Sequence, residues 1–259
     1  DKSLSRIADI VLGKEEQVRL AVACLLARGH LLIEDLPGVG KTTLAQTLAH
    51  VFSLSYRRVQ FTSDMLPADI LGVSVYDAET REFHLKEGPV FTQLLLADEI
   101  NRTTPKTQSA LLEAMEERQV TLDGITRALP EPFFVVATQN PVTQPGTFPL
   151  PESQLDRFLM RISLGYPAPE VERELLAGGD RREHAAQLES VLRAEDLSKL
   201  AGKVDQIHVS DELVDYVQRL LEYSRSCGEF VAGLSPRAGL GLLRAARAWA
   251  LLGGRSYVI

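Results

Sequence analysis

The architecture of this 259-residue chain follows from one short segment, which reads Asp35-Leu36-Pro37-Gly38-Val39-Gly40-Lys41-Thr42. The segment comes directly after the apolar run His30 to Glu34 and directly before a helix-like run, Thr43 to Phe52. A glycine-containing loop between a strand and a helix turns backbone N–H groups toward phosphate at the helix N-terminus. The segment therefore predicts a phosphate-binding loop.

Individual residues of this loop have separate predicted tasks. Gly38 and Gly40 let the backbone close around phosphate, Lys41 supplies a positive charge, and the Thr42 hydroxyl can ligate magnesium. The formal pattern has glycine where Asp35 stands, so the outer turn of the loop departs from it. On this segment alone, a chance Gly-Lys-Thr at a helix cap is the alternative.

Two acidic residues, Asp98 and Glu99, follow the apolar run Leu94 to Ala97 and make that alternative much weaker. In an open α/β sheet, the C-terminal end of a buried strand lies beside the phosphate loop. We expect Asp98 to bind magnesium through water and Glu99 to orient and deprotonate the attacking water. The predicted metal ligands are Thr42 and Asp98, and the predicted nucleotide-binding residues are Pro37, Gly38, Val39, Gly40, Lys41, Thr42, Thr43 and Asp98.

Asn140 and Arg237 are further candidates. Asn140 follows the apolar run Phe133 to Thr138 and can touch the γ-phosphate or the attacking water; it can equally be an asparagine that ends a strand before proline. Arg237 follows an N-cap serine and a proline, so it lies in the first turn of a predicted helix. A cation there opposes the helix dipole, which suggests a nearby anion such as bound phosphate. An exposed arginine that tolerates a weak penalty is the alternative.

Arg157 and Arg161 lie four residues apart, with Arg157 just before the last predicted strand and Arg161 at its first residue. If this segment is helical, the two side chains share one face. Surface pairing is the usual role of such arginines, and the spacing does not choose between them.

The composition of the chain limits the classes of function that it can have. The chain is 45% apolar and 24% charged, and its net charge of −7 is a poor match for nucleic acid. Cys24 and Cys227 lie far apart in the sequence and lack metal-type spacing, so they indicate neither a disulfide framework nor a zinc site and favour a reducing cytoplasm. No apolar run reaches the roughly 20 residues that a membrane span needs. The chain opens on Asp1 rather than Met, and we expect the natural ends to extend further; the last helical layer is then incomplete.

Apolar runs alternate with helix-like segments over residues 1–166, which predicts a three-layer αβα domain with a parallel sheet. The predicted strands are His30–Glu34, Arg58–Phe61, Leu94–Ala97, Phe133–Thr138 and Arg161–Leu164. Two hairpins, Ser74–Leu85 and Gln119–Leu129, interrupt the alternation as insertions. After a proline-containing boundary at Gly165 to Pro169, residues 167–259 carry helical periodicity and predict a small all-helical domain. Its predicted helices are Glu170–Ala177, Asp196–Lys203, Asp211–Arg225 and Pro236–Leu252.

The motifs together resemble those of the MoxR family of AAA+ ATPases, over nearly the whole chain. Most specific is Ala97-Asp98-Glu99-Ile100-Asn101-Arg102, followed by Gln108-Ser109-Ala110-Leu111-Leu112-Glu113-Ala114-Met115. The phosphate loop, Ala137-Thr138-Gln139-Asn140-Pro141, Leu155-Asp156-Arg157-Phe158 and Leu234-Ser235-Pro236-Arg237-Ala238 match the family as well.

The resemblance implies an αβα nucleotide domain with a helical lid, a homo-oligomeric ring that is usually a hexamer, and ATP with Mg²⁺ bound between subunits. Asn140 looks like sensor 1, Arg237 like the sensor 2 arginine, and Arg157 like the arginine finger, with Arg161 as its runner-up. The two hairpins resemble the helix 2 insert and the pre-sensor 1 hairpin, which contact substrates or partners. By resemblance, the family remodels or activates protein clients, often metal-cofactor enzymes, beside a partner with a von Willebrand factor A domain.

Other functions stay open as alternatives. A magnesium-chelatase-like motor subunit is the nearest, and a P-loop motor acting on nucleic acid would show ATPase stimulation by DNA. A small-molecule P-loop kinase would transfer phosphate to an acceptor, whereas the Asp98-Glu99 pair and Arg237 favour hydrolysis. A GTPase would need an Asn-Lys-x-Asp segment, which the sequence lacks.

Overall fold

A five-stranded sheet, parallel at every pairing, forms the centre of the molecule. The computed structural model describes residues 2–8, 10–140, 146–178 and 191–258. The sheet strands, in the spatial order β2-β5-β8-β1-β9, are β1 (Leu31–Glu34), β2 (Tyr56–Gln60), β5 (Leu94–Asp98), β8 (Phe134–Gln139) and β9 (Met160–Ile162). The predicted parallel sheet is confirmed.

Helices cover both faces of this sheet. The helices of this part are α1 (Lys2–Ala8), α2 (Glu15–Leu26), α3 (Lys41–Val51), α4 (Pro67–Leu71), α5 (Pro105–Glu117) and α6 (Glu152–Leu155). Side chains alternate along β5, so that Leu94 and Leu96 enter the core beneath α1 to α3, whereas Leu95 and Ala97 enter the core beneath α4 and α5. These two cores make the three αβα layers.

The last strand ends earlier than predicted. Its predicted residues Ser163 and Leu164 lie beyond β9, because the Leu164 backbone N–H donates to the Asp35 carboxylate rather than to a neighbouring strand. The same contact draws the chain after β9 against the start of the phosphate loop.

Two hairpins project from the βα core at the predicted places. The first joins β3 (Gly72–Asp77) to β4 (Glu82–Glu87), and the second joins β6 (Gln119–Leu122) to β7 (Ile125–Ala128). Both turn residues of the second hairpin, Asp123 and Gly124, have positive φ, which is the backbone that a two-residue type I′ turn requires. The first hairpin exposes an aromatic pair, Tyr76 and Phe83, with ring centroids 5.3 Å apart.

The remaining described helices are α7 (Pro169–Gly178), α8 (Ala194–Val204), α9 (Asp211–Ser226) and α10 (Pro236–Leu252). Both α8 and α10 pack against α2. The Arg19 guanidinium of α2 lies 4.4 Å from the ring centroid of Trp249 in α10, which adds a cation–π contact to that packing. Among the helices that the structure describes, none is both long and apolar enough to cross a membrane.

Candidate functional site

The phosphate loop joins β1 to α3 at the C-terminal edge of the sheet. Gly38 and Gly40 have φ of +86° and +94°, a conformation that favours glycine, and α3 begins at Lys41. The Lys41 ammonium donates to the carbonyl oxygens of Asp35 and Leu36, at 2.8 and 3.1 Å. Burial lowers the pKa of Lys41, although nearby carboxylates oppose that shift.

Asp35, where the formal pattern has glycine, fastens this loop to the chain after β9. Its carboxylate accepts hydrogen bonds from the backbone N–H groups of Leu36, Leu164 and Gly165 at 2.9, 2.6 and 2.6 Å, and from the Ser163 hydroxyl at 3.0 Å. Burial would raise the pKa of Asp35, but these donors outweigh it and the pKa lies below its usual value. The aspartate that replaces the glycine of the pattern is therefore a charged clamp between the phosphate loop and the chain after β9.

Asp98, at the end of β5, is a buried carboxylate with both oxygens occupied. Its Oδ1 accepts from the Thr138 hydroxyl at 2.6 Å. Its Oδ2 accepts from Nε and Nη2 of Arg58, at 3.2 and 2.6 Å. Asp98 and the Thr42 hydroxyl both offer oxygen, the donor that Mg²⁺ prefers, and Mg²⁺ keeps several water ligands. The chemistry of these two donors fits a magnesium ion.

Glu99 has a left-handed backbone, with φ 57° and ψ 48°. Such a conformation costs a non-glycine residue roughly 1–3 kcal/mol and occurs preferentially at functional sites. Its Oε1 accepts from the Asn140 amide at 3.0 Å, and its Oε2 accepts from the Gln60 amide at 2.9 Å and from Arg102 Nη1 at 3.0 Å. The structure thus brings the predicted Glu99 and Asn140 into direct contact.

Several residues of this site were not predicted. Arg58 and Gln60 come from β2, an edge strand whose exposed side chains lie beside the two acids through the pairing of β2 with β5. The signal in the sequence is weak: a charged and an amide side chain stand two residues apart on one face of a strand. Without the spatial order of the strands, that spacing names no partner.

Arg157 and Arg237 lie together at the opposite end of the sheet from the phosphate loop. Both donate to the carboxylate of Glu116 near the end of α5, Arg157 Nε at 2.7 Å to Oε2 and Arg237 Nη2 to Oε1. The preceding residue, Met115, contacts His30 at the start of β1. The 4 residues of β1 span about 13 Å, and the phosphate loop begins only after them.

Two expectations about the arginines change with this placement. Arg157 follows α6 and Arg161 lies within β9, so the two do not share a helical face. Arg161 instead pairs with Glu34 at 2.6 Å, close to the start of the phosphate loop. The anion beside Arg237 is the Glu116 carboxylate of the same chain, in the place where the sequence suggested phosphate.

Comparisons with known proteins agree with this architecture. A family model described as "ATPase family associated with various cellular activities (AAA)" matches residues 30–160, and an "AAA lid domain" model matches residues 222–259. Uncharacterized protein YeaC of Bacillus subtilis is 46% identical over 100% of this chain and 81% of that protein. Chaperone MoxR1 of Mycobacterium tuberculosis is 42% identical over 100% of this chain and 71% of its own.

A solved structure of a candidate ATPase from Cytophaga hutchinsonii matches 100% of this chain and 81% of its own, with a TM-score of 0.89 and 36% identity. The resemblance of the sequence motifs, the AAA and lid matches and the similarity of the whole of this chain to Chaperone MoxR1 point to one family. The chain therefore belongs to the MoxR family of AAA+ ATPases, and it binds and hydrolyses ATP.

Proposed function

We propose that this ATPase hydrolyses ATP with Mg²⁺ between the subunits of a homo-oligomeric ring, a hexamer as is usual in the family, and uses the cycle to remodel or activate protein clients. A partner with a von Willebrand factor A domain and a metal-cofactor enzyme as client fit the family resemblance. The chaperone name of the Mycobacterium relative supports the client-directed half of this proposal.

The observation that supports a ring is the distance between the two parts of the catalytic site, the arginines and the phosphate loop with its acids. Arg157 and Arg237 lie beside the start of β1, whereas Lys41, Asp98 and Glu99 lie at its far end. An arginine finger must contact the γ-phosphate to stabilise the charge that develops during phosphoryl transfer. A second copy of the chain, docked with its phosphate-loop end on the arginine end of the first, would complete the site.

Charge at the arginine end fits such a docking. A cavity of about 760 Å³ opens there between α5, α9 and α10, and six arginines and two acidic residues line it. This positive excess contrasts with the net charge of −7 for the whole chain. A neighbour's triphosphate is an anion that this local field would attract.

Within one site, each side chain has a defined task. Lys41 and the N–H groups of residues 38–43 bind the phosphates, while Thr42 and Asp98 would hold the Mg²⁺, which neutralises phosphate charge when bound. Glu99 accepts a proton from the attacking water, and Asn140 orients the Glu99 carboxylate through the bond described above.

The helical part and the hairpins are assigned to coupling. We place the boundary of the lid at residues 166 and 167, and the lid match over residues 222–259 lies within the helical side. The two exposed hairpins, β3–β4 and β6–β7, are assigned to contacts with clients or partners, since both project as insertions from the βα core.

Two variants test the roles at the phosphate loop. We expect Lys41→Ala to lose ATP affinity, because Lys41 contacts ground-state phosphate, and Glu99→Gln to bind ATP with magnesium normally but hardly turn over. Equilibrium binding of a fluorescent ATP analogue, measured beside steady-state phosphate release, separates the two. Equal loss of binding in both variants would contradict the assignment.

Mixing tests the shared site. Arg157→Ala keeps a complete phosphate loop but offers no finger, and Lys41→Ala offers a finger but holds no ATP, so each alone should lose about 10³-fold or more in turnover. Mixed rings should regain a fraction of wild-type turnover. A mixture as inactive as its components, where sizing shows mixed rings, would refute the proposal, and Arg161→Ala provides the comparison for the finger assignment.

A further inference from the structure

We propose that Glu116 is a positioning residue that holds Arg157 and Arg237 in the arrangement they need at the neighbour's nucleotide, an inference that rests on the proposed function. One carboxylate bridges two guanidinium groups that come from distant parts of the chain, the turn after α6 and the first turn of α10. Neither the phosphate loop nor the acids Asp98 and Glu99 of the same chain take part in this cluster.

The two arginines need a common anion in order to lie side by side. Their like charges repel, and Arg237 also opposes the dipole at the N-terminus of α10. Glu116 offsets both effects, and the two ion pairs hold its pKa below the usual value. An exposed ion pair alone contributes little, but one carboxylate on two fixed donors determines their spacing.

A second contact fixes the same junction. The Ser235 hydroxyl, at the N-cap of α10, donates to both oxygens of Asp156 at 2.9 and 3.0 Å. Because Asp156 precedes Arg157, this contact fastens the start of α10 to the segment that carries the candidate finger. The segments that carry the two arginines are therefore fastened to each other, with Glu116 as a further point of attachment.

Glu116 also connects the arginines to the catalytic acids of its own subunit. Helix α5 begins shortly after Asp98 and Glu99, and its 13 residues extend about 20 Å to the arginine pair. The buried Gln108 amide fastens the start of the helix by donating to the carbonyl oxygens of Ile100, Thr103 and Phe148, at 3.3, 3.2 and 3.0 Å. Helix α5 thus joins one subunit's acids to the arginines that its neighbour would use.

The test is the complementation pattern of Glu116→Ala. We expect its turnover to fall about 10²-fold, as for a misplaced catalytic group, with ATP affinity and melting temperature close to wild type. Mixed with Lys41→Ala, it should regain activity, since Lys41→Ala subunits supply an intact arginine pair. Mixed with Arg157→Ala, it should stay inactive, since no subunit then offers one. Glu117→Ala, an exposed glutamate on the same turn, is the matched control and should resemble wild type.

The outcomes separate the two proposals. Rescue by Arg157→Ala but not by Lys41→Ala would place Glu116 with its own subunit's nucleotide and overturn this inference alone, as would wild-type turnover of Glu116→Ala. If the reference pair Arg157→Ala and Lys41→Ala fails to complement, the proposed function falls, and the inference with it. Should Glu116→Ala melt early, Glu116→Gln replaces it in the same matrix. A further loss when Glu116→Ala is added to an Arg157→Ala, Arg237→Ala background would also contradict action through the arginines.

Discussion

At the scale of single residues, the Asp35 carboxylate positions the phosphate loop, although the formal motif has a glycine at this place. We expect Asp35→Gly, which restores the formal glycine pattern and removes the acceptor of all four hydrogen bonds, to displace the loop and weaken ATP binding about tenfold, which corresponds to about 1.4 kcal/mol of binding free energy. Titration with a fluorescent ATP analogue measures this effect. Ser163→Ala, which removes a single hydroxyl donor, should weaken binding less, and unchanged or tighter binding by Asp35→Gly would contradict the clamp.

His30 is buried and neutral, with consequences for stability at acidic pH. Its Nδ1 accepts from the Val135 N–H at 3.0 Å, so Nε2 carries the proton and donates to the Met115 carbonyl at 3.1 Å. Burial lowers the pKa of His30 from 6.5 to about 4. Between pH 6.5 and 4, His30 binds a proton in the unfolded chain but not in the folded chain. The free energy of unfolding should therefore fall by about 3 kcal/mol over this range.

Urea unfolding across that pH range checks the expectation. His30→Gln should be less stable at pH 7 but should lose less stability on acidification than wild type. His50→Gln alters an exposed histidine and should keep the wild-type slope. Parallel pH profiles for wild type and His30→Gln would show that His30 does not cause the loss.

Sequence patterns locate some site residues and miss others for one physical reason. Asp98, Glu99 and Asn140 follow apolar runs, and parallel strands bring such residues to one sheet edge, so their contact was predictable. Arg58 contacts Asp98 only because β2 neighbours β5, and Glu116 contacts the arginines only through the fold of three separate segments. Contacts of that kind leave no periodic signal.

At the scale of elements, the position of the β3–β4 hairpin depends on its neck, the place where the backbones of Ile70, Gly72 and Gly88 come close together. A Cβ atom on Gly88 would lie 2.2 Å from the Ile70 carbonyl oxygen and 2.5 Å from the Gly72 nitrogen, both of which are backbone atoms. We expect Gly88→Ala to displace the hairpin, seen as faster hydrogen exchange in β3 and β4, while the central sheet keeps its protection.

A matched glycine gives the control for the neck. Gly202 lies in α8 with nothing within 4 Å of its added Cβ, so Gly202→Ala should be neutral or stabilise by up to about 1 kcal/mol. If Gly88→Ala leaves exchange in the hairpin unchanged, the neck does not position it.

Elements with strong periodicity were predictable, and short ones were not. The long helices α9 and α10 and both hairpins appear within a few residues of their predicted bounds. Arg157 and Arg161 would share a face only if their segment were helical, whereas a four-residue helix, a turn and a strand divide it. In so short a span, tertiary contacts such as Asp35 with Leu164 outweigh local preference.

At the scale of the molecule, assembly should control turnover. Under the proposed arrangement, a lone subunit lacks the arginines that its nucleotide needs, so turnover per subunit should rise with protein concentration as rings form. Steady-state phosphate release across a dilution series, beside sizing by light scattering, measures this. Arg157→Ala should stay low at every concentration. Constant turnover per subunit while sizing shows dissociation would argue that one chain suffices.

The unlike ends of the sheet also determine how many sites an assembly can complete. Because a phosphate-loop end meets an arginine end, each contact is head-to-tail, and such contacts either close into a ring or continue as an open filament. An open row of n subunits has n − 1 complete sites and one idle nucleotide, whereas a closed ring has n. Closure thus adds a final site without adding a subunit, and the gain per subunit is greatest in small assemblies.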